Sequence, residues 1–295
     1  MARRKRLEEI LKVELAELSN MPIERRFNVF PKRTGSKVRI IETPIGPNRA
    51  FHKRIKTLLS QIVTPSYLKS RVGFSIRHNA EFHQENRYFL SVDIREFYQS
   101  TRSDFVRGFF RKKLKMSGTL ANVLTELLTY GGHIPTGSSA SQILAYFSYS
   151  EMFDAIQRIS NKHGVQFSLY VDDMVFSSQG PLPGSLLNQI VRELRKNGLH
   201  LKFSKVSFKK GNEAKRITGC ILSSSGELKV PNRTRIKVIR ILESVPNIRL
   251  LPAPDLSSLI GCISQAQQIE PGIFESTRRH ALRIIQERRL LRKGA

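Results

Sequence analysis

A chain of 295 residues is long enough to bury a substantial core, as one large domain or as two or three closely packed ones. No stretch of it is apolar enough for a membrane span, and its N-terminus lacks the apolar run of a secretory leader. Fifty Lys and Arg against 24 Asp and Glu, a formal charge of +26, point to a polyanionic partner. Nucleic acid is expected before membrane, because the excess is spread along the chain rather than gathered on one amphipathic helix. Two cysteines, Cys220 and Cys262, without metal-ligand spacing, argue against a disulfide scaffold or a zinc site and predict a cytoplasmic setting. Seventeen Phe and seven Tyr offer a core and some stacking surface for bases.

The first 20 residues predict a helix, with Leu7, Ile10, Leu11, Leu15 and Leu18 at helical spacing. Its basic start, Arg3 to Arg6, reads equally as a tail or as a phosphate contact. Residues 27–44 predict a hairpin turning at Thr34-Gly35. Its cations suit a triphosphate or a nucleic-acid backbone, although an ordinary solvated hairpin fits the same residues. A helix over about 50–63 follows. Tyr88–Val92 reads as a buried strand ending at Asp93, an acid that is either a helix cap or a group held out on rigid backbone. Helices are expected over 104–115 and 119–129. A Gly/Ser loop at 131–142, suited to close approach of a phosphate or backbone, leads into one long helix over 143–159. His133 and His163 read as packing or surface residues.

Phe167 to Phe176 then predicts a second hairpin with Asp172-Asp173 at its turn. Adjacent ionised carboxylates repel and resist burial, so they are either a polar turn or a metal-holding pair awaiting a third carboxylate. A Tyr-x-Asp-Asp string arises by chance in roughly one such chain in fifty, and by itself decides nothing. A helix over 186–197, capped by Gly198, precedes a strand over 199–206 with Lys205 near its end. A third hairpin spans 216–230. The remaining 65 residues or so predict basic helices, with a break near 252–255 and a last helix over 272–293 carrying Arg278, Arg279, Arg283, Arg288, Arg289, Arg292 and Lys293. Such a tail suits a duplex clamp or a merely solvated helix pair.

In this order the parts resemble the reverse transcriptases from about Phe27 onward. Val92-Asp93-Ile94-Arg95-Glu96-Phe97-Tyr98 is similar to the first palm motif. Pro135 to Gln142 resembles the template- and nucleotide-positioning loop, and Tyr170-Val171-Asp172-Asp173 the second metal motif. Asn79-Ala80-Glu81-Phe82-His83 and Ile217-Thr218-Gly219 resemble the Asn-Ala-x-x-His and Val-Thr-Gly elements of bacterial retron reverse transcriptases. Two positions depart from the usual pattern: Thr136 stands where most of the family carry Gln, and Gln142 where most carry Pro. The resulting Gly-x-x-x-Ser-Gln form is similar to the enzymes of diversity-generating retroelements.

The resemblance implies an α+β, right-hand polymerase architecture. An N-terminal helical extension (1–26) precedes fingers (27–90, with part of 104–132), a palm of antiparallel sheet packed on helices (91–230) and a small helical thumb (231–295). It implies RNA-directed DNA synthesis with two Mg²⁺ ions, replaceable by Mn²⁺, held by Asp93, Asp172 and Asp173, with Lys205 as the acid. Lys32, Arg39, Tyr98, Thr136 and Gly137 would bind the deoxynucleoside triphosphate, Tyr98 as the gate against a 2′-hydroxyl. Asn79, His83, Ile217, Thr218, Gly219, Arg233 and Arg235 would bind RNA. The partners implied are a cognate structured non-coding RNA and its DNA product, with a separate effector protein in anti-phage defence and no membrane. Reverse transcriptases of the diversity-generating or abortive-infection classes, and a non-catalytic RNA-binding protein on the same fold, are the alternatives.

Overall fold

The chain opens with two helices, Ala2–Leu11 and Leu15–Asn20, rather than the single one its periodicity predicts. Lys12 breaks them with φ 49°. Glu8 spans the break, pairing with Arg4 at 3.1 Å and accepting from the Leu15 N–H at 3.0 Å, which covers one of the second helix's unpaired amides. In this computed structural model, residues 2–35, 37–211 and 213–291 are described, and they divide into two compact units. The first comprises 1–72, 92–174 and 183–206; the second comprises 73–91, 175–182 and 207–295.

In the first unit, β1 (Phe27–Thr34) and β2 (Lys37–Pro44) form the expected hairpin, with Gly35 at φ 62° supplying the left-handed turn. A helix over Gly46–Leu59 follows, earlier than predicted because Gly46-Pro47 starts it. The expected helix over 104–115 runs as Ser103–Gly108 and continues as a π-turn over Phe109–Lys113; the next spans Gly118–Leu128. The long helix expected over 143–159 is broken into Ser141–Ser148 and Ser150–Lys162. Tyr149 between them leaves the helix to donate to the Ser100 carbonyl at 3.1 Å and to pack its ring 4.7 Å from Phe105. Ser148 and Ser150 bond back to the Leu144 and Phe147 carbonyls, which competes with the helix ladder there. Phe51, Phe110, Phe153 and Phe167 are fully buried in this unit.

β3 (Tyr88–Asp93), β4 (Gln166–Tyr170), β5 (Asp173–Ser178) and β6 (Ser207–Lys209) make one sheet in the order β4-β5-β3-β6. Phe167 to Leu169 and Met174 to Ser177 are buried without alternation, as in strands covered on both faces. The helix Leu186–Lys196 ends at Gly198, φ 73°. The strand expected over 199–206 is reduced to a single bridge, Leu201 with Ile94, and a 3₁₀ turn over Phe203–Lys205.

The second unit holds a helix over Ile76–Glu81 and an antiparallel sheet of β7 (Lys215–Ile217), β8 (Cys220–Leu222) and β9 (Leu228–Lys229). Three longer helices follow, Asn232–Glu243, Ala253–Ile269 and Glu275–Leu291. Ala80, Phe89, Val175, Ile217, Cys220 and Ala266 build one core, and Val238, Leu256, Leu259, Ile263, Ala281 and Ile284 another. The cysteines are free and buried. Of the cations expected on the last helix, Arg279 and Arg283 are exposed. Arg288 donates to the Leu251 and Arg249 carbonyls instead, and Arg292 and Lys293 lie outside the described residues.

Candidate active site

The end of β3 and the β4–β5 turn bring three carboxylates together. Asp93, Asp172 and Asp173 each place a ligand oxygen within 4.8 Å of the others. Two backbone bonds fix the frame: Ile94 N–H donates to the Asp172 carbonyl at 3.0 Å, and Lys202 N–H to the Asp93 carbonyl at 2.9 Å. Asp93 is only 5% exposed. Burial, then the Asp93 charge, raises the Asp172 carboxyl above its usual range; Lys205 and Arg39 pull it back. Asp173 is pushed up to about 6 by burial and by Asp172 and Asp93. Three carboxylates so close hold their charge at low cost only beside a cation. Their hard oxygens fit a divalent ion such as Mg²⁺ or Mn²⁺.

Lys205 pairs its ammonium with Asp93, and its 3₁₀ turn, rather than a strand, aims it there. Tyr98 follows a left-handed Glu96 (φ 48°). It sits half-buried beside Asp172, and its phenol is pushed up to about 12 by burial and by that carboxylate, so it is neutral at pH 7. On the hairpin, Lys32 lies directly opposite Arg39. Like charges facing across a ladder destabilise it, and an anion bound between them would relieve the cost.

The expected nucleotide residues Thr136 and Gly137 are engaged with the hairpin. Thr136 exchanges bonds with β2: its N–H donates to Glu42 Oε2 (3.2 Å), its hydroxyl donates to the Ile40 carbonyl (3.1 Å), and the Glu42 N–H donates to that hydroxyl (3.3 Å). Gly137 N–H donates to the Glu42 carbonyl at 2.9 Å. Thr136 therefore spends its polar groups on protein; with Gly137 it sets where the hairpin sits. His133 joins this dock through Glu42 Oε1 at 3.0 Å, while His163 meets Gln189.

Sequence reasoning passed over His52, which is 1% exposed. Its Nε2 reaches the Leu127 carbonyl at 2.9 Å, which can only accept, so Nδ1 accepts from the Ser138 hydroxyl at 2.6 Å. The ring thus anchors the Gly/Ser loop. A lone His in an amphipathic helix carries no signal of this; only the packing does. Burial lowers its pKa from 6.5 to about 4. Protonation therefore favours the unfolded chain, and stability present above pH 6.5 is lost progressively as pH falls toward 4, by up to about 3 kcal/mol. Melting of wild type and His52→Gln across pH 7.5 to 4.5 checks this: the variant should show a flatter decline.

The expected RNA-binding residues lie in the second unit. Asn79 and His83 are fully buried there, where their side chains bond to protein. Asn79 Nδ2 donates to the Thr218 hydroxyl at 2.6 Å, and His83 Nδ1 lies 2.6 Å from the Ser177 hydroxyl. The two retron-like elements thus meet: Asn79 braces Thr218, held at φ 45° beside Gly219 at φ 93°, while Ile217 is core. Arg235 donates from Nη2 alone to both Glu270 carboxylate oxygens, at 2.6 and 2.8 Å, and from Nε to the Val230 carbonyl. Arg233 is exposed and open to a phosphate.

Residues 30–222 match the family model "Reverse transcriptase (RNA-dependent DNA polymerase)". Among curated proteins the chain is 24% identical over 264 residues to the retron Ec83 reverse transcriptase of Escherichia coli, covering 83% of each. It is 26% identical over 194 residues to the retron Se72 reverse transcriptase of Salmonella heidelberg (strain 579083-10), where the match takes in 64% of this chain and 48% of the relative. The chain thus spans about half the length of that second protein. Among solved structures, telomerase from Candida albicans in complex with a fragment of telomeric RNA aligns with a TM-score of 0.53 at 10% identity, over 89% of this chain and 58% of that one. Apo telomerase from Candida tropicalis gives 0.54 at 11%, over 81% and 51%. These likenesses place the antiparallel sheets and helices in the right-hand polymerase fold. No described helix is long and apolar enough to cross a membrane. With the paired motifs, the carboxylate triad and the family match in agreement, the chain belongs to the reverse transcriptase (RNA-dependent DNA polymerase) family, and the two curated relatives named above are of the retron type.

Proposed function

We propose that this protein is a retron RNA-directed DNA polymerase that copies a cognate structured non-coding RNA into a short, branched, RNA-linked single-stranded DNA, as part of anti-phage defence with a separate effector. The observation that carries the reading is the Asp93–Asp172–Asp173 cluster, with Lys205 on its edge and Arg39 near enough to bias Asp172. Residues 1–26 form an N-terminal helical extension, 27–90 with part of 104–132 serve as fingers, 91–230 as palm and 231–295 as thumb.

In the reaction a primer hydroxyl attacks the α-phosphorus of a deoxynucleoside triphosphate, and the bond to the β-phosphate oxygen breaks in line. Two Mg²⁺ ions held by Asp93 and Asp172, with Asp173 beside them, would supply charge stabilisation to the attacking and leaving oxygens. Arg39 and Lys32 hold the triphosphate, Arg39 as a fork and Lys32 as a point charge. Lys205, half-exposed and now neutralising Asp93, is released to give its proton to the departing pyrophosphate. Tyr98 closes the sugar site with a neutral ring. Tyr98→Ala should reduce discrimination against ribonucleotides by roughly 10- to 100-fold, measured by competition between paired triphosphates; unchanged selectivity removes that role.

Sequencing the nucleic acid that co-purifies from the native host, with and without RNase, tests the whole reading. A discrete short DNA joined to one structured RNA is the expected result. Adenine-directed errors copied from a repeat, or random-sequence DNA attached to protein, would reassign the enzyme to the diversity-generating or abortive-infection class. The Gly137–Gln142 pattern gives the first of these some footing.

A further inference from the structure

The turn that carries the metal-holding carboxylates is strained. Val171, a β-branched residue, sits at φ 62°, a region that such side chains enter only when their surroundings force them. Glycine, the residue that meets this geometry freely, is absent from the turn. Something must therefore hold the backbone there. Asp172 is held from one side by Ile94, the residue just after β3, which leaves the strained residue itself to be explained.

The segment before residue 72 provides the brace. It runs beside β4: Leu169 N–H donates to the Tyr67 carbonyl at 2.8 Å, and Lys69 N–H to the Leu169 carbonyl at 2.9 Å. One residue further on, the Ser70 hydroxyl accepts from the Val171 N–H at 3.1 Å. The Ser70 carbonyl in turn accepts from the side-chain amide of Gln142. Below this segment, Tyr67 is buried and donates to Asp154 at 2.6 Å, so the brace itself stands on a fixed base. Gln142 is one of the two positions that depart from the usual family pattern, and a proline there has no side-chain amide to offer the Ser70 carbonyl.

We infer that Ser70 is a positioning residue for the catalytic turn: its hydroxyl holds Val171 in the left-handed conformation, and Gln142 holds Ser70. The inference rests on the polymerase reading above. Without the bond from Val171, the Tyr170–Val171 peptide is free to rotate out of the strained region, and Asp172 and Asp173 shift with it. Displacements on the order of 1 Å at a reacting centre cost about 100-fold in rate.

The test uses the full chain on an oligonucleotide-primed RNA template, with steady-state kinetics and, separately, Mn²⁺ binding followed by electron paramagnetic resonance. Ser70→Ala should lower kcat by roughly 10- to 100-fold, leave KM for the nucleotide within about twofold, and weaken Mn²⁺ binding several-fold. Ser70→Thr, which keeps the hydroxyl, should restore most of both. Gln142→Pro, tolerated in the first turn of its helix, should lower kcat in the same direction by less. Adding Val171→Gly to Ser70→Ala should recover activity, because glycine adopts the positive φ without a brace. A Ser70→Ala enzyme with kcat and Mn²⁺ affinity both within twofold of wild type would overturn the inference. Wild-type protein that extends no primer would instead overturn the polymerase reading, and the Mn²⁺ comparison would still decide the role of Ser70.

Discussion

Asp172→Asn is expected to reduce primed DNA synthesis by at least about 1,000-fold while the protein melts at the same temperature or slightly higher. Asp172 lies within a few ångströms of two other carboxylates, and burial together with Asp93 already raises its pKa. Removing one negative charge therefore relieves repulsion in the metal-free protein. A residue kept for stability would show the opposite pattern, losing both fold and activity. Loss of activity with retained or increased stability is the mark of a group held against its own electrostatic preference. Asp93→Asn should be equally inactive, but it also takes the partner from Lys205, so no gain in stability is expected. Single-nucleotide incorporation and thermal melting of the two variants side by side check both halves. Full activity in either would rule out the proposed chemistry.

Gly137→Ala is the second change with a large expected effect. A Cβ at this position would lie 2.3 Å from Thr43 Oγ1 and 2.8 Å from the Glu42 carbonyl oxygen. The second of these is backbone and accepts the Gly137 N–H at 2.9 Å, so it cannot retreat without breaking the dock between loop and hairpin. The hairpin carries Lys32 and Arg39, and Arg39 is close enough to lower the Asp172 pKa. Displacing it should raise KM for the nucleotide by about 10-fold or more and destabilise the protein by roughly 1–3 kcal/mol. Gly108→Ala is the control, since nothing lies within 4 Å of its Cβ position and alanine is the better helix former. It should leave kinetics unchanged and melt no lower than wild type. Equal behaviour of the two variants would show that the loop–hairpin dock has no part in nucleotide binding.

Much of the site was legible because it is built from short continuous strings. A strand ending in Asp93 and a hairpin turning at Asp172-Asp173 are local patterns, and apolar runs around lone acids announce them. The Thr34-Gly35 turn and the Gly198 helix end follow equally from backbone chemistry at one or two residues. Polar side chains in ordinary surroundings were harder to read. Arg235 has the composition of a phosphate contact, yet Glu270 takes its guanidinium. Asn79 and His83 have the composition of a recognition element, yet both are interior. A charged or amide side chain does not carry its partner in its own sequence neighbourhood, and these partners lie 35 to 139 positions away. The same holds for Tyr149, which leaves its helix for Ser100 and Phe105, contacts invisible to helical periodicity.

The sequence by itself determined the order of the chemistry-bearing elements, their strand and hairpin settings, the cationic character of the chain and the family to which it belongs. Each of these depends on neighbours a few residues apart or on a simple sum of charge. Tertiary structure alone decided which backbone bonds frame the three carboxylates, that Lys205 meets Asp93 from a 3₁₀ turn, that Thr136 and Gly137 fasten the hairpin, and that His52 and Ser70 hold the loop and the turn. Those outcomes rest on hydrogen bonds and burial between segments 75 to 112 residues apart. Such pairings form only when the fold brings their backbones together, so no local pattern encodes them.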